Sequence, residues 1–255
     1  VMAGYDPADS RTAWSVGNIP QEGYGLTTAD NQLRGCRLGI LNSFFGKGPQ
    51  HVEVNAAVHT CIDKMQELGA EIVEVAEPLD SGHLAGEVSV HLFDLERDLN
   101  SYLKNLEPTA PVHTLQEVVD SGRFHPGLAA NLRQAMALKP DSLPYLQRLR
   151  EQDCLKERLL DIMAANRLDA LVFPHQQRLV VKIGESQVER NGVLASVTGF
   201  PSITVPAGFS APSATAPMGV PIGIEFLARP WSERTLIALA GALEQAMPLR
   251  KAPKL

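Results

Sequence analysis

His175-Gln176-Gln177-Arg178 places an imidazole, two amides and a guanidinium side by side, directly after the apolar run Leu168–Pro174 (LDALVFP). In open α/β sheets, ligands bind beyond the carboxyl ends of strands, so four polar residues at such a place can line a pocket. The same residues can also make a plain polar turn. Thr198-Gly199-Phe200-Pro201 raises a similar pair of readings. A glycine there permits close backbone approach or positive φ, and Phe200 can form a pocket wall. A helix-to-strand turn uses the same residue types.

Other patterns carry less. Gly46-Lys47-Gly48 follows an apolar strand but lacks the third glycine of a dinucleotide fingerprint, and Pro49 comes next. A turn that starts a helix accounts for it better than a phosphate cradle. Ser101-Tyr102-Leu103-Lys104 matches SxxK but falls on an amphipathic helix, where a solvated face is the simpler reading. Asp94, Glu96 and Asp98 could supply paired carboxylates, yet Asp94 and Arg97 are i,i+3 neighbours and suit a helix ion pair. None of the seven histidines (His51, His59, His83, His91, His113, His125, His175) belongs to an HExxH motif, and no GxSxG elbow occurs. Neither a metal nor a cofactor is expected.

These side chains must be positioned by an alternating set of elements. Arg37–Leu41 (RLGIL) reads as a strand. Val54, Val58, Cys61, Met65 and Leu68 recur at helical spacing, and Gly69 stands where a helix ends. Ala70–Val75 then reads as a second strand, which makes a parallel βαβ unit. Residues 82–138 read as helical with breaks near Glu107–Pro111 and Ser121–Pro126, and a longer helix runs from Asp141 or Ser142 to Asn166. Leu168–Pro174 is a third strand, and Val180–Ile183 is a short strand or loop. Glu189–Val197 is expected as a helix leading to the strand Ser202–Pro206. A small, Pro-rich loop separates this from the strand Ile222–Ala228, and a last helix capped by Ser232 follows. Short strands, apolar on both faces and mostly separated by helices, imply an α/β fold with a sheet covered on both sides.

Composition narrows the class. A net charge of −6 and a pI near 5.7, with no basic run interleaved with aromatics, argue against a nucleic-acid partner. No apolar run approaches the ~18–20 residues needed to span a bilayer, so no membrane partner is expected. Three cysteines (Cys36, Cys61, Cys154) without a CxxC pair imply reduced, buried thiols and a cytoplasmic setting. The opening residues VMAGYDPADSRTA have no signal-peptide pattern and read as the middle of a longer protein.

Several segments, in this order, resemble the C-terminal half of the amidase-signature family: GYDPAD (Gly4–Asp9), LRGCRLGIL (Leu33–Leu41), ELGAEIVEV (Glu67–Val75), DLNSYL (Asp98–Leu103), RLDALVFP, NGVLASVTGFPSITVPAGF, and GVPIGIEFLARPWSERTLIALAGALEQA. The resemblance implies an α/β/α layered fold around a large mixed sheet covered by helices. It also implies hydrolysis of a carboxamide by a Ser–cis-Ser–Lys triad with backbone N–H groups holding the oxyanion. In the family those catalytic residues precede the segment similar to GYDPAD, and this chain has no GGSSGG-like stretch, so no catalytic residue is assigned. In one branch an aspartate ten residues before the glycine of the GLP turn binds the substrate's amino group. Counting back from Gly199 gives Glu189, similar in type. The turn after LVFP usually begins with Thr or Ser in the family but here begins with His175, which implies a branch with its own pocket chemistry.

The chain is therefore read as a connecting arm (1–33) and the C-terminal portion of an amidase domain (34–255) with a helical insert at about 82–166. Its expected role is to complete the sheet and shape the pocket, with no hydrolase activity as an isolated chain. The substrate-side candidates are Glu189, His175, Gln176, Thr198 and Phe200. Expected partners are a small-molecule amide and the missing N-terminal half. An uncovered sheet edge and apolar face would also favour self-association. The alternatives are a non-enzymatic truncated relative that binds a small molecule or partner, and a nucleotide-binding domain with phosphate at Gly46–Gly48.

Overall fold

A computed structural model describes residues 3–25, 33–106 and 110–252. Its strands are β1 (Arg37–Leu41), β2 (Glu71–Val75), β3 (Ala170–Pro174), β4 (Ser202–Phe209) and β5 (Pro221–Leu227). Its helices are α1 (Val52–Glu67), α2 (Ser81–His83), α3 (His91–Asn105), α4 (Leu115–Ser121), α5 (Ala129–Ala137), α6 (Leu143–Ala165), α7 (Val193–Thr198) and α8 (Glu233–Ala246). The strands form one mixed sheet in the order β2-β1-β3-β5-β4. β1 is parallel to both β2 and β3, whereas β5 is antiparallel to β3 and β4. The α/β class with a mixed, helix-covered sheet is the one expected from the sequence.

The order of the strands dictates the layers. From β1 the chain crosses through α1 to β2 on one side, then returns through α6 to β3 on the other. Right-handed crossovers made in opposite directions place their helices on opposite faces. Accordingly Val54, Val58, Cys61 and Met65 of α1 pack with Leu236, Leu239 and Leu243 of α8 on one face. Leu155, Leu159 and Met163 of α6 pack with Leu194 and Val197 of α7 on the other. β3 lies between these layers, and all five of its residues are buried. The start of β1 is tied to the start of β3. The Arg37 N–H donates to the Asp169 carboxylate (2.8 Å), and the Asp169 N–H donates back to the Arg37 carbonyl (2.8 Å).

Several local expectations are corrected. The helix placed at Glu189–Val197 begins at Val193, because Glu189 adopts a left-handed φ of 57° and cannot join it. α6 stops at Asn166 as expected; the Asn166 side chain donates to the Ile162 carbonyl, and Arg167 takes the left-handed φ of 51°. β4 continues past Pro206 through a bulge to Phe209, and as an edge strand it leaves Ser202 and Thr204 exposed. Cys61 is buried, but Cys36 is only half-buried and Cys154 is exposed, because Cys154 faces outward on α6. Asp94, Arg97 and Asp98 form the expected helix ion pairs, and Tyr145 of α6 donates to Asp94 (3.0 Å). Residues 26–32 of the arm and 107–109 of the helical break lie outside the described residues. No helix among the described residues is long and apolar enough to cross a membrane.

The two aromatic rings nearest the ends of β1 and β3, Phe44 and Phe173, meet edge to face with centroids 5.1 Å apart, and both are fully buried. Phe173→Ala should therefore lower stability by about 3–5 kcal/mol, read as a fall in the urea midpoint at unchanged slope.

Candidate functional site

The strand order reverses at β1: β2 lies on one side and β3 on the other. A crevice opens outside the carboxyl ends at such a reversal. Here it is bounded by the loop after β1 (42–51), the turn after β3 (175–178) and the residues that return at 189–192. One side chain closes the gap between the two strand ends. Asn191 is 0% exposed, and its amide donates to the carbonyls of Phe44 (2.9 Å) and Pro174 (2.8 Å). Its carbonyl oxygen accepts from Gln177 (3.1 Å), and its N–H donates to the His175 carbonyl (3.0 Å). The other side chain of the pair, Gln177, also reaches Ser81 Oγ at 3.4 Å.

His175 stands at the rim of this crevice. Its Nδ1 lies 2.7 Å from Glu225 Oε2, and Glu225 is 1% exposed. A carboxylate so far from water requires a partner, and the imidazole supplies it, so the ring donates from Nδ1. Thr204 Oγ1 lies 3.4 Å from the same nitrogen. The hydrogen bond to Glu225 raises the His175 pKa above its ordinary 6.5; burial opposes the rise, and the charge of Glu225 adds to it. β4, β5 and the turn after β3 each contribute one member of this group, because Thr204 and Glu225 face each other across the β4–β5 pair. Gly192 is what lets the ring sit there. A Cβ at that position would come within 2.6 Å of His175 Cε1.

A second set holds Glu189. The Gly48 N–H donates to His51 Nδ1 (2.9 Å), which fixes the neutral ring's proton on Nε2, 3.3 Å from each Glu189 carboxylate oxygen. Gly46-Lys47-Gly48 is thus the turn that seats a buried histidine. Arg178 Nη1 is 3.9 Å from the same carboxylate. The Gln177 N–H donates to the Glu189 carbonyl (3.0 Å), and Gln176 bridges to Arg190, so residues 176–190 leave and return as a narrow loop. The left-handed backbone of Glu189 is strain held by these contacts, a state that clusters at functional sites.

Between the two sets is a cavity of about 280 Å³ lined by Val54, His175, Gln176, Arg178, Leu179, Val180, Pro221, Ile222 and Gly223. The structure thus brings His175, Gln176 and Glu189 to one place. It does not bring Thr198 or Phe200 there. The Thr198 hydroxyl donates to the Leu194 carbonyl (2.7 Å), and the Phe200 ring is buried in the α6–α7 face of the core. The sequence reading placed Arg178 among possible pocket-lining residues but missed Glu225, Asn191 and His51. A lone acid within the apolar run IGIEFLA was a usable signal for Glu225, since a charge at a core position needs a partner. Nothing local marked His51. Among the described residues no group of three or more His, Cys, Asp or Glu could hold a metal ion.

Residues 1–237 match the amidase family. The chain belongs to this family. It is 29% identical over 99% of its length to a probable amidase of Arabidopsis thaliana, of which it covers 46%. It is 26% identical over 97% of its length to a glutamyl-tRNA(Gln) amidotransferase subunit from Koribacter versatilis, of which it covers 52%. Among solved structures, a peptide amidase from Stenotrophomonas maltophilia is 27% identical, with a TM-score of 0.76, over 98% of this chain and 50% of that one. The corresponding amidotransferase subunit from Thermotoga maritima, at 16% identity and a TM-score of 0.60, shares the fold. This amidase-family chain therefore spans about half the length of the relatives it matches.

Two outcomes follow for His175. A group whose folded pKa is raised stabilises the fold fully below its unfolded pKa, and that contribution fades as pH rises through the raised value. His175→Gln should therefore lose more stability relative to wild type at pH 6 than at pH 9, read from urea midpoints at each pH. Gly192→Ala should push the ring away from Glu225 and return the His175 pKa toward 6.5, followed by imidazole NMR titration.

Proposed function

We propose that this chain is the C-terminal portion of an amide-bond hydrolase and forms the substrate side of its pocket. The observation that carries the reading is the family match over residues 1–237, in a chain that covers about half of each relative. The crevice at the β1–β3 reversal supports it, because polar side chains converge there beside an apolar cavity. In this reading, His175, Gln176, Glu189 and Arg178 contact a small amide. The nucleophile, its proton relay and the oxyanion donors come from a segment outside this chain, and no catalytic role is assigned within it.

The exposed edge of β4 fits a fold completed by that segment. Ser202 and Thr204 face outward, and the arm presents Tyr5, Trp14 and Val16 to solvent. Uncovered strand edges and apolar side chains of this kind favour association. Completion by the missing half is the occupant proposed here, and self-association is the competing outcome. A cytoplasmic setting goes with the reduced thiols.

The test is reassembly. The chain alone should not hydrolyse simple aliphatic or aryl amides. Co-expression with the N-terminal half of a full-length amidase relative should give a co-purifying complex that does. Glu189→Ala in that complex should raise KM or lower kcat/KM roughly ten- to a hundredfold, an effect of about 1.4–2.7 kcal/mol. Turnover by the isolated chain, surviving repurification, would overturn the assignment of the chemistry to another segment. A chain that binds amides but never reassembles into an active complex would favour a non-enzymatic relative.

A further inference from the structure

Resting on the amide-hydrolase reading above, we infer that His175, held by Glu225, anchors a subsite for the carbonyl oxygen of a neutral amide group other than the one cleaved, whose apolar neighbour fills the adjoining cavity. Four observations lead to this.

The first is the state of the ring. Nδ1 is engaged with a fully buried carboxylate, while Nε2 has no hydrogen-bond partner among the described residues. Glu225 fixes the ring's orientation, and below the raised titration midpoint the ring carries both protons, so that Nε2 then presents an N–H donor. The second is rigidity. Gly192 packs at Cε1 and Gly223 near Cβ, so the ring has little room to rotate. A donor fixed in advance binds its acceptor at lower entropic cost.

The third is the wall chemistry. Val54, Leu179, Val180, Pro221 and Ile222 give the cavity an apolar body, and His175, Gln176 and Arg178 supply its polar atoms. Its volume of about 280 Å³ is just below the roughly 300–1,000 Å³ of drug-sized ligand pockets, the size for one aryl or branched aliphatic group. The fourth is charge balance. Each cation at the cavity is already matched by a carboxylate: His175 by Glu225 at 2.7 Å, and Arg178 by Glu189 at 3.9 Å. The site thus offers strong donors without net positive charge. That arrangement suits a neutral carbonyl acceptor over a free carboxylate, which would meet Glu225 and Glu189 behind the donors.

The experiment uses the intact chain, ¹⁵N-labelled at histidine, at a pH below the measured His175 titration midpoint, and three isosteric or truncated probes. Millimolar phenylacetamide should saturably shift His175 Nε2 while leaving Nδ1 near its starting position. Phenylacetate, which replaces the amide by a carboxylate, and acetamide, which lacks the ring, should each bind at least about tenfold more weakly. His175→Gln at this partly exposed position should keep the fold and weaken phenylacetamide at least about tenfold. Glu225→Gln should do the same while lowering the His175 titration midpoint. No shift of Nε2 by phenylacetamide, equal or tighter binding of phenylacetate or acetamide, or unchanged affinity in His175→Gln would each overturn the subsite. This readout requires no turnover. A reassembled complex that hydrolyses amides while Nε2 stays unmoved would reject the subsite and keep the function. An Nε2 shift in a chain that never yields an active complex would do the reverse.

Discussion

Two parallel strands that end side by side leave backbone carbonyls facing one another in the protein interior, and each must find a donor. In this chain that constraint falls on one side chain. Asn191 donates to the carbonyl at the end of β3 and to the carbonyl of Phe44 after β1, from a position with no solvent exposure. Alanine there would strand two buried acceptors, each costing roughly 1–3 kcal/mol. The geometry of the crevice depends on this clasp. It sets the gap between the loop that carries His51 and the turn that carries His175. Its own backbone N–H then holds the His175 carbonyl, so the residue that joins the strands also places the imidazole.

The rest of the crevice is organised around two histidines with opposite surroundings. His51 is buried and receives a backbone N–H at Nδ1, so its ring serves as a fixed donor to Glu189. His175 is partly exposed and gives its Nδ1 to the carboxylate, so its second nitrogen is left facing outward. The first holds a strained residue in place, and the second holds itself ready. Both depend on glycines for space: a Cβ at Gly46 would come within 2.2 Å of the His51 ring, as one at Gly192 would reach the His175 ring. Of the two glycines that look like a phosphate motif in the sequence, Gly46 makes room for the imidazole and the Gly48 N–H donates to it.

The fold was legible because its signals are periodic and repeated. The run Arg37–Leu41, the stripe Val54–Val58–Cys61–Met65 and the run ALVFP each report burial by residue type. The alternation of strand and helix then implies the layers. The errors fall where backbone geometry overrides type. Glu189 has good helix propensity, yet a hydrogen bond from the Gln177 N–H and contacts with His51 and Arg178 keep it in the left-handed region, four residues before the helix starts. Cys154 lies near apolar neighbours in sequence but on the outer side of α6. The site was half legible for a related reason. His175, Gln176 and Arg178 are contiguous, so their clustering is visible along the chain. Glu225 is 50 residues from His175 and His51 is 138 from Glu189, and only the sheet brings them together.

Thr198 and Phe200 show how the same residue types serve two purposes, and neither lines the cavity beside His175. A Thr-Gly-Phe-Pro turn before a strand resembles a pocket edge because glycine at positive φ and an aromatic ring serve both purposes. Within this chain the fold uses them for the turn and the core. Gly199 takes φ 68° to end α7, the Thr198 hydroxyl is spent on its own helix, and Phe200 seals the core beneath α6. The turn thereby fixes where β4 begins, and β4 carries Thr204 to within 3.4 Å of His175 Nδ1. Its connection to the site runs through strand placement.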